Sequence, residues 1–444
     1  MQPADFMTES LQRAPWGLQV AEILNAAVQA VDPYQAVSRT IFMPEDQLHL
    51  GKHTYNLRKN RKIYLVGAGK AGLPMAQAVA DKLGRWIAGG LVIVKEGYGG
   101  VESIGLVRIV EAGHPIPDHR GLTATQEMLA LLKQAQSDDL VLVVLSGGGS
   151  ALLTAPVEGV SLEDMQVLTN LLLASGADIE EINRIRKQID AVKGGGLARA
   201  AAPAPVAALI LSDVVGDRLD MIASGPTIPP ASRWQSVMAI IDRYHLKDQL
   251  PSSVLKALHH PPQPPLLASI PPNNILVGNN ELAARAALEK ASQFGYHTHL
   301  LTTTMQGEAR VVGEDMAAQL KAFAEAGAPR PAVWVAGGET TVTLHGNGLG
   351  GRNQELALAA VPGLAGLDHT ALVALATDGG DGPTGAAGAV VTGETYQRAL
   401  QLGLNVQTAL AANDSHPFFS KLGDCLSPGP TRTNVNDLLF LFLF

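Results

Sequence analysis

Residues 140–145 read Leu-Val-Leu-Val-Val-Leu, and Ser-Gly-Gly-Gly-Ser follows at once. Six apolar residues without alternation describe a strand covered on both faces, as in a parallel sheet between helical layers. The same order, apolar strand, glycine loop, helix, recurs along the chain. It sets the fold class as α/β, with two α/β/α domains of which the first is Rossmann-like. The pattern predicts strands over 62–66, 91–94, 107–110, 140–145 and 207–211, and helices over 16–32, 73–84 and much of 161–201. It resumes with strands at 274–277, 297–302, 332–336, 371–376 and 438–444 and helices at 281–294, 308–325, 354–361 and 394–402, with 341–345 as a hairpin partner. Val20, Ile23, Leu24, Ala27 and Val28 share one helical face, as do Ile182, Ile185, Ile189 and Val192.

Seven prolines fall within residues 251–272. Proline at that density removes donors and blocks helix, so the domain boundary is placed there. The expected division is an N-terminal domain 1–255, a proline-rich linker 256–273 and a C-terminal α/β domain 274–444. The net charge is −8. Arg58-Lys59-Asn60-Arg61-Lys62 is the nearest thing to a basic run and reads as a solvated approach to a strand, so nucleic acid is excluded as a partner. The single cysteine, Cys425, rules out an internal disulfide and suits a reducing, cytoplasmic setting. No leader or membrane segment is expected, because the apolar C-terminal stretch 438–444 is too short to span a bilayer.

Four glycine loops carry the candidate chemistry. Gly67-Ala68-Gly69-Lys70-Ala71-Gly72 matches G-x-G-x-x-G after a strand, and Glu96 stands near where a ribose-binding acid would fall. Its fourth position is a lysine, which would set a mobile cation beside a helix N-terminus, as phosphate transfer requires. Dinucleotide binding, phosphate handling through Lys70, and a packing turn all remain open for this loop. Ser146-Gly147-Gly148-Gly149-Ser150 reads as an oxyanion or phosphate cradle or as a packing turn, and position 152, leucine, excludes a nucleophile elbow. Gly351 and Arg352 open the helix at 354–361, where a guanidinium fork would suit a carboxylate or phosphate. Asp378 and Asp381, in Thr377-Asp378-Gly379-Gly380-Asp381, offer oxygen ligands to Mg²⁺ or simply turn chemistry, with Asp213 and Asp217 as rivals. His114, Glu339 and Glu355 are weaker candidates, and His259 and His260 read as solvated.

The motifs GAGKAG (67–72), GHPIPD (113–118), SGGGSALL (146–153), INRIRKQIDAVKGGGLA (182–198), LSDVVGD (211–217), IASGPT (222–227), GGETTV (337–342), GGRNQELAL (350–358), TDGGDGPTGAAG (377–388) and GPTRTNVNDL (429–438) occur in that order. Together they resemble the glycerate 2-kinase family, the class II glycerate kinases, whose C-terminal half is the MOFRL domain. The resemblance implies ATP-dependent phosphorylation of D-glycerate to 2-phosphoglycerate, in a cleft between two domains, by a monomer or homodimer. It implies Lys70 and Arg352 as catalytic cations and Mg²⁺ bridging the phosphates. Gly67, Gly69, Ser146, Gly147, Gly148, Gly149, Ser150 and Gly351 would then bind nucleotide or substrate. Arg186, Lys193 or loop backbone would hold the glycerate carboxylate, and Asp213 or Asp378 is the candidate base. Gln188, Ile189 and Asp190 depart from the family's usual His-Leu-Ser in this helix. The rival enzyme is an NAD(P)H-dependent hydroxypyruvate reductase, which the literal G-x-G-x-x-G and Glu96 would serve.

Overall fold

The computed structural model describes residues 1–57, 61–229, 234–259 and 271–444. The chain divides into two compact units, one formed by Pro33–Ser212 with Asp217–Val277, the other by Met1–Asp32, Asp213–Gly216 and Gly278–Phe444.

The first unit is built on β1 (Ile63–Ala68), β2 (Ile87–Lys95), β3 (Ser103–Ile104), β4 (Val107–Ala112), β5 (Leu140–Leu145), β6 (Val206–Leu211) and β7 (Asn273–Gly278). They lie in the order β3-β4-β2-β1-β5-β6-β7. The pairs β1–β2, β1–β5, β2–β4 and β5–β6 are parallel. This is the doubly wound order, in which the chain starts at β1, runs outward to β4, then returns to β5 on the other side. Helices α1 (Gly72–Leu83) and α2 (His119–Leu132) are crossovers of this sheet. Every residue of β1, β5 and β6 is buried, as the unbroken apolar runs require. Beyond β5 come α3 (Gly149–Leu152) and α4 (Ile179–Arg186), and Ile182 and Ile185 of α4 join Ile189 in a separate apolar cluster.

The second unit carries α5 (Asn280–Gln293), β8 (His297–Met305), α6 (Ala309–Glu325), β9 (Ala332–Gly338), α7 (Arg352–Leu364), β10 (Thr370–Ala376), β11 (Gly388–Thr392), β12 (Cys425–Leu426) and β13 (Asp437–Leu443). Its sheet runs β8-β9-β13-β10-β11-β12. β13 is fully buried between β9 and β10 and antiparallel to both. An apolar stretch at the chain terminus therefore becomes the centre of a sheet that is antiparallel at every pairing except β8–β9.

The structure corrects the expected organisation in four places. The helix Gly17–Ala30 packs with the second unit rather than the first: Trp16, at its N-cap, stacks on Phe444 with ring centroids 3.7 Å apart. Ser10 is held there as well, by two 2.8 Å hydrogen bonds to the buried Asp424. The strand expected to open the C-terminal domain is β7, the last strand of the first sheet, where Asn273 Nδ2 donates to the Leu50 carbonyl at 3.1 Å. The linker expected at 256–273 begins inside a helix, Ser252–His259, and its residues 260–270, with His260, lie outside the described residues, as do 58–60 of the basic run. Residues 341–345 form no strand. Thr341 makes one isolated bridge to Glu308, and the Glu308 carboxylate accepts from the Thr343 hydroxyl at 2.9 Å. An unforeseen hairpin pairs Gln47–Leu50 with His53–Asn56.

Candidate active site

In a doubly wound sheet the ligand crevice lies at the carboxyl ends of the strands where the winding reverses. Here that point falls between β1 and β5, so the loops at 67–72 and 146–150 lie side by side. The Gly69 N–H donates to the Ile93 carbonyl at 3.0 Å, the Lys70 N–H to the Gly147 carbonyl at 2.9 Å, and the Ala71 N–H to Ser146 Oγ at 3.0 Å. The first loop thus uses its amides internally, and Gly67 is a β1 residue pressed against the Val144 backbone. Gly67 and Gly69 are packing glycines, not the anion cradle expected of them. Gly69 has φ +140°, and an added Cβ would overlap Ser146 Oγ. Gly69→Ala is expected to cost about 1–3 kcal/mol, read as a lower urea midpoint.

The second loop is different. The amides of Gly147, Gly148 and Ser150 have no acceptor among the described residues, whereas the Gly149 N–H donates to the Ser146 carbonyl at 3.2 Å. Ser146 itself is buried, its hydroxyl taken by Ala71. Gly148 has φ +85°, with Lys70 Cγ and the His114 ring against the space a Cβ would fill. Lys70 is half-buried, and no carboxylate among the described residues pairs with its ammonium. Burial, then Lys70 and Lys95, hold the His114 imidazole below its ordinary range. His114, Lys95 and Glu96 line a cavity of about 470 Å³. Glu96 follows the end of β2, where a ribose-binding acid would stand, but Arg120 Nη2 donates to it at 2.9 Å.

Two further cations part company here. Arg186 Nη2 donates to the Ser150 carbonyl at 3.1 Å, and its Nε is buried without a partner among the described residues. Lys193 is fully buried, donates to the Leu153 carbonyl at 2.7 Å and pairs with Asp190 at 2.9 Å. Burial pushes its ammonium down to about 8 against the pull of Asp190. Lys193 is a structural cation, and the expectation that it meets substrate is corrected. Asp190, one of the departures from the family pattern, is its counter-ion.

In the second unit, Arg352 is the first residue of α7. Its fork lies on the buried Asp437, with Nε to Oδ2 at 2.5 Å and Nη2 to Oδ1 at 3.0 Å, while Nη1 reaches Glu339 at 2.8 Å. Burial pushes the Asp437 carboxyl up to about 6 against the pull of Arg352. The fork expected to grasp a ligand is therefore engaged by the protein's own carboxylates. Asp381 is also accounted for: its Oδ1 accepts from the Asn353 N–H at 3.0 Å and its Oδ2 from the Gln354 N–H at 2.8 Å, capping α7. Gly351 leaves room for that cap, since a Cβ there would overlap Asp381. Both Asp381 oxygens serve the helix, so the residue does not fit Mg²⁺. Asp378 is half-buried, and its Oδ1 accepts from the Gly380 N–H at 3.1 Å. Asp213 is half-buried and is grouped with the second unit. The described residues hold no cluster of three or more potential metal-ligating side chains. Mg²⁺ needs only one or two carboxylates beside substrate phosphates, and Asp378 and Asp213 are side chains of that chemical class.

Residues 19–259 match the family described as Domain of unknown function (DUF4147), and residues 332–437 match the MOFRL family. A D-glycerate 2-kinase of Thermotoga maritima is 40% identical over 94% of this chain and 96% of its own. A glycerate 2-kinase of Pyrococcus horikoshii is 38% identical over 94% of this chain and 95% of its own. The chain belongs to the glycerate kinase family. The crystal structure of a Thermotoga maritima glycerate kinase superimposes with a TM-score of 0.88 at 40% identity, covering 97% of this chain and 100% of the other. A relative from Agrobacterium vitis, 37% identical over 94% of this chain and 92% of its own, is named as a provisional hydroxypyruvate reductase.

For this glycerate kinase family member, sequence reasoning proposed Lys70, the 146–150 loop and Arg352, of which the structure sets Lys70 beside the loop. It missed Asp437 as the partner of Arg352, and Asn183 and Ser224 beside Ser150. No local pattern announces those pairs. The lone thiol is held in its protonated form: burial, then Asp424 and Asp381, push Cys425 up to about 12. Alkylation by iodoacetamide at pH 8 is expected to be negligible in the folded protein and complete in urea, as intact mass would report.

Proposed function

We propose that this chain is a glycerate 2-kinase that moves the γ-phosphoryl group of ATP to the 2-hydroxyl of D-glycerate. The observation that carries the reading is the pairing of Lys70 with the amides of Gly147, Gly148 and Ser150 at the winding reversal of the first sheet, the lysine without a counter-carboxylate and the amides without an acceptor among the described residues. Phosphoryl transfer needs positioning and donors aimed at the charge on the transferring group rather than covalent chemistry. Lys70 supplies a mobile cation and the loop amides supply fixed dipoles. Arg352, already on Asp437, acts from a fixed orientation. Mg²⁺, held through Asp378 or Asp213 and the nucleotide, would neutralise phosphate charge. The 2-hydroxyl oxygen forms the new P–O bond, the bond to the ADP oxygen breaks, and the hydroxyl proton passes to a base, with Asp213 and Asp378 as candidates.

The second reading, reduction of hydroxypyruvate by a nicotinamide cofactor, draws on the position of Glu96 and the name of the Agrobacterium relative. Parallel assays separate the two. ADP release with ATP, Mg²⁺ and D-glycerate, and no loss of NADH or NADPH absorbance with hydroxypyruvate, is the expected result. Cofactor oxidation without ADP release would reverse the assignment.

A further inference from the structure

One face of α4 holds Ser150 at its carbonyl directly and at its hydroxyl through Ser224. Asn183 and Arg186 lie three residues apart on that helix, so their side chains share a face. Arg186 holds the Ser150 carbonyl at 3.1 Å. The Ser224 hydroxyl donates to Asn183 Oδ1 at 3.1 Å, and Ser224 Oγ lies 2.9 Å from Ser150 Oγ. A hydroxyl carries one proton, and an amide oxygen has none to give. The Ser224 proton is committed to Asn183, so Ser150 is the donor in the bond between the two serines. Ser150 Oγ is left with lone pairs and no proton, a neutral acceptor.

Ser224 is fully buried, whereas Ser150 is half-buried, next to the unengaged amides of Gly147 and Gly148. The turn that carries Ser224 is costly. Ala223, Ser224 and Gly225 have φ of 50°, 61° and 63°, three left-handed residues in a row, two of them not glycine. Such conformations persist where the surroundings over-determine them. Here Ala223 Cβ fills the space beside Gly149, only 2.7 Å from where a Cβ would stand. The turn fixes Ser224 against Ser150.

We propose that Ser150 Oγ accepts a hydrogen bond from the 3-hydroxyl of the acceptor substrate, and that Ser224 and Asn183 are positioning residues that keep it an acceptor. This rests on the glycerate 2-kinase reading. The 2-hydroxyl loses its proton in the transfer, and a serine oxygen is far too weak a base to take it. The 3-hydroxyl keeps its proton throughout and matches a neutral acceptor. Ser150 then separates D-glycerate from 2-hydroxy acids that lack the second hydroxyl.

The test compares KM for D-glycerate with the competitive inhibition constant of D-lactate, the same acid without the 3-hydroxyl. Ser150→Ala is expected to raise the D-glycerate KM at least about tenfold, the scale of one lost hydrogen bond. It moves the D-lactate constant by less than about threefold. Ser224→Ala, with alanine already tolerated in this conformation at 223, gives a smaller change of the same selectivity. Equal shifts of both constants in Ser150→Ala, or no shift in either, overturn the assignment of Ser150 and leave the kinase reading standing. Absence of ADP release with D-glycerate in the wild-type chain overturns both.

Discussion

Lys70→Ala is expected to lower kcat for D-glycerate phosphorylation at least about 100-fold, the loss of one transition-state donor, about 2.7 kcal/mol. Lys70 carries no carboxylate contact among the described residues, so its removal breaks no ion pair there. The Lys70 N–H bond to the Gly147 carbonyl is backbone and survives the substitution. The melting temperature should therefore stay close to wild type while the rate collapses. KM for D-glycerate should change much less than kcat, since a donor used in the transition state contributes little to ground-state binding. A variant retaining more than a tenth of the wild-type kcat would remove Lys70 from the chemistry.

Arg352→Leu is expected to fail differently. Asp437 is buried, and losing its bidentate partner leaves a carboxylate unpaired, a change that costs about 3–5 kcal/mol. Burial already raises the Asp437 carboxyl to about 6, and without Arg352 the shift grows. A carboxyl raised in the folded state favours the protonated form. Its stability contribution is present below the unfolded value of about 3.9 and is lost as pH rises through the folded value. The deficit of Arg352→Leu against wild type should thus be larger at pH 8 than at pH 5, measured by urea unfolding. Adding Asp437→Asn should restore most of the stability but none of the activity. Restored activity in the double variant would reduce Arg352 to a structural role. An equal deficit at both pH values would mean that Asp437 is not the group left unpaired.

The elements most visible in the sequence are those whose environment repeats locally. Leu140 to Leu145 reads as a doubly covered strand and is one, because six successive apolar residues suit no other surface. The stretch at 438–444 likewise reads as a buried strand, yet nothing local places it antiparallel at the centre of the second sheet. Strand pairing is a long-range choice, made here with β9 and β10. The same distinction governs the site. Lys70 is visible because a lysine in a tight glycine turn has few structural uses. The role of Gly69 is not, because its amide is satisfied by Ile93, a residue of another strand. Lys193 and Arg352 look alike as charges near glycines, but one is buried on Asp190 and the other rests on Asp437 and Glu339. Only the three-residue spacing of Asp190 and Lys193 hinted at the first pair. The tie from the N-terminal segment to Asp424 spans over four hundred residues and has no local signature.

The position of the new phosphate on the product tests the account most directly. Wild-type protein with ATP, Mg²⁺ and D-glycerate should yield 2-phospho-D-glycerate, with the phosphorus coupled to the single proton on C2 in the ³¹P–¹H NMR spectrum. Coupling to the two protons of C3, or no phosphorylated product at all, would contradict it.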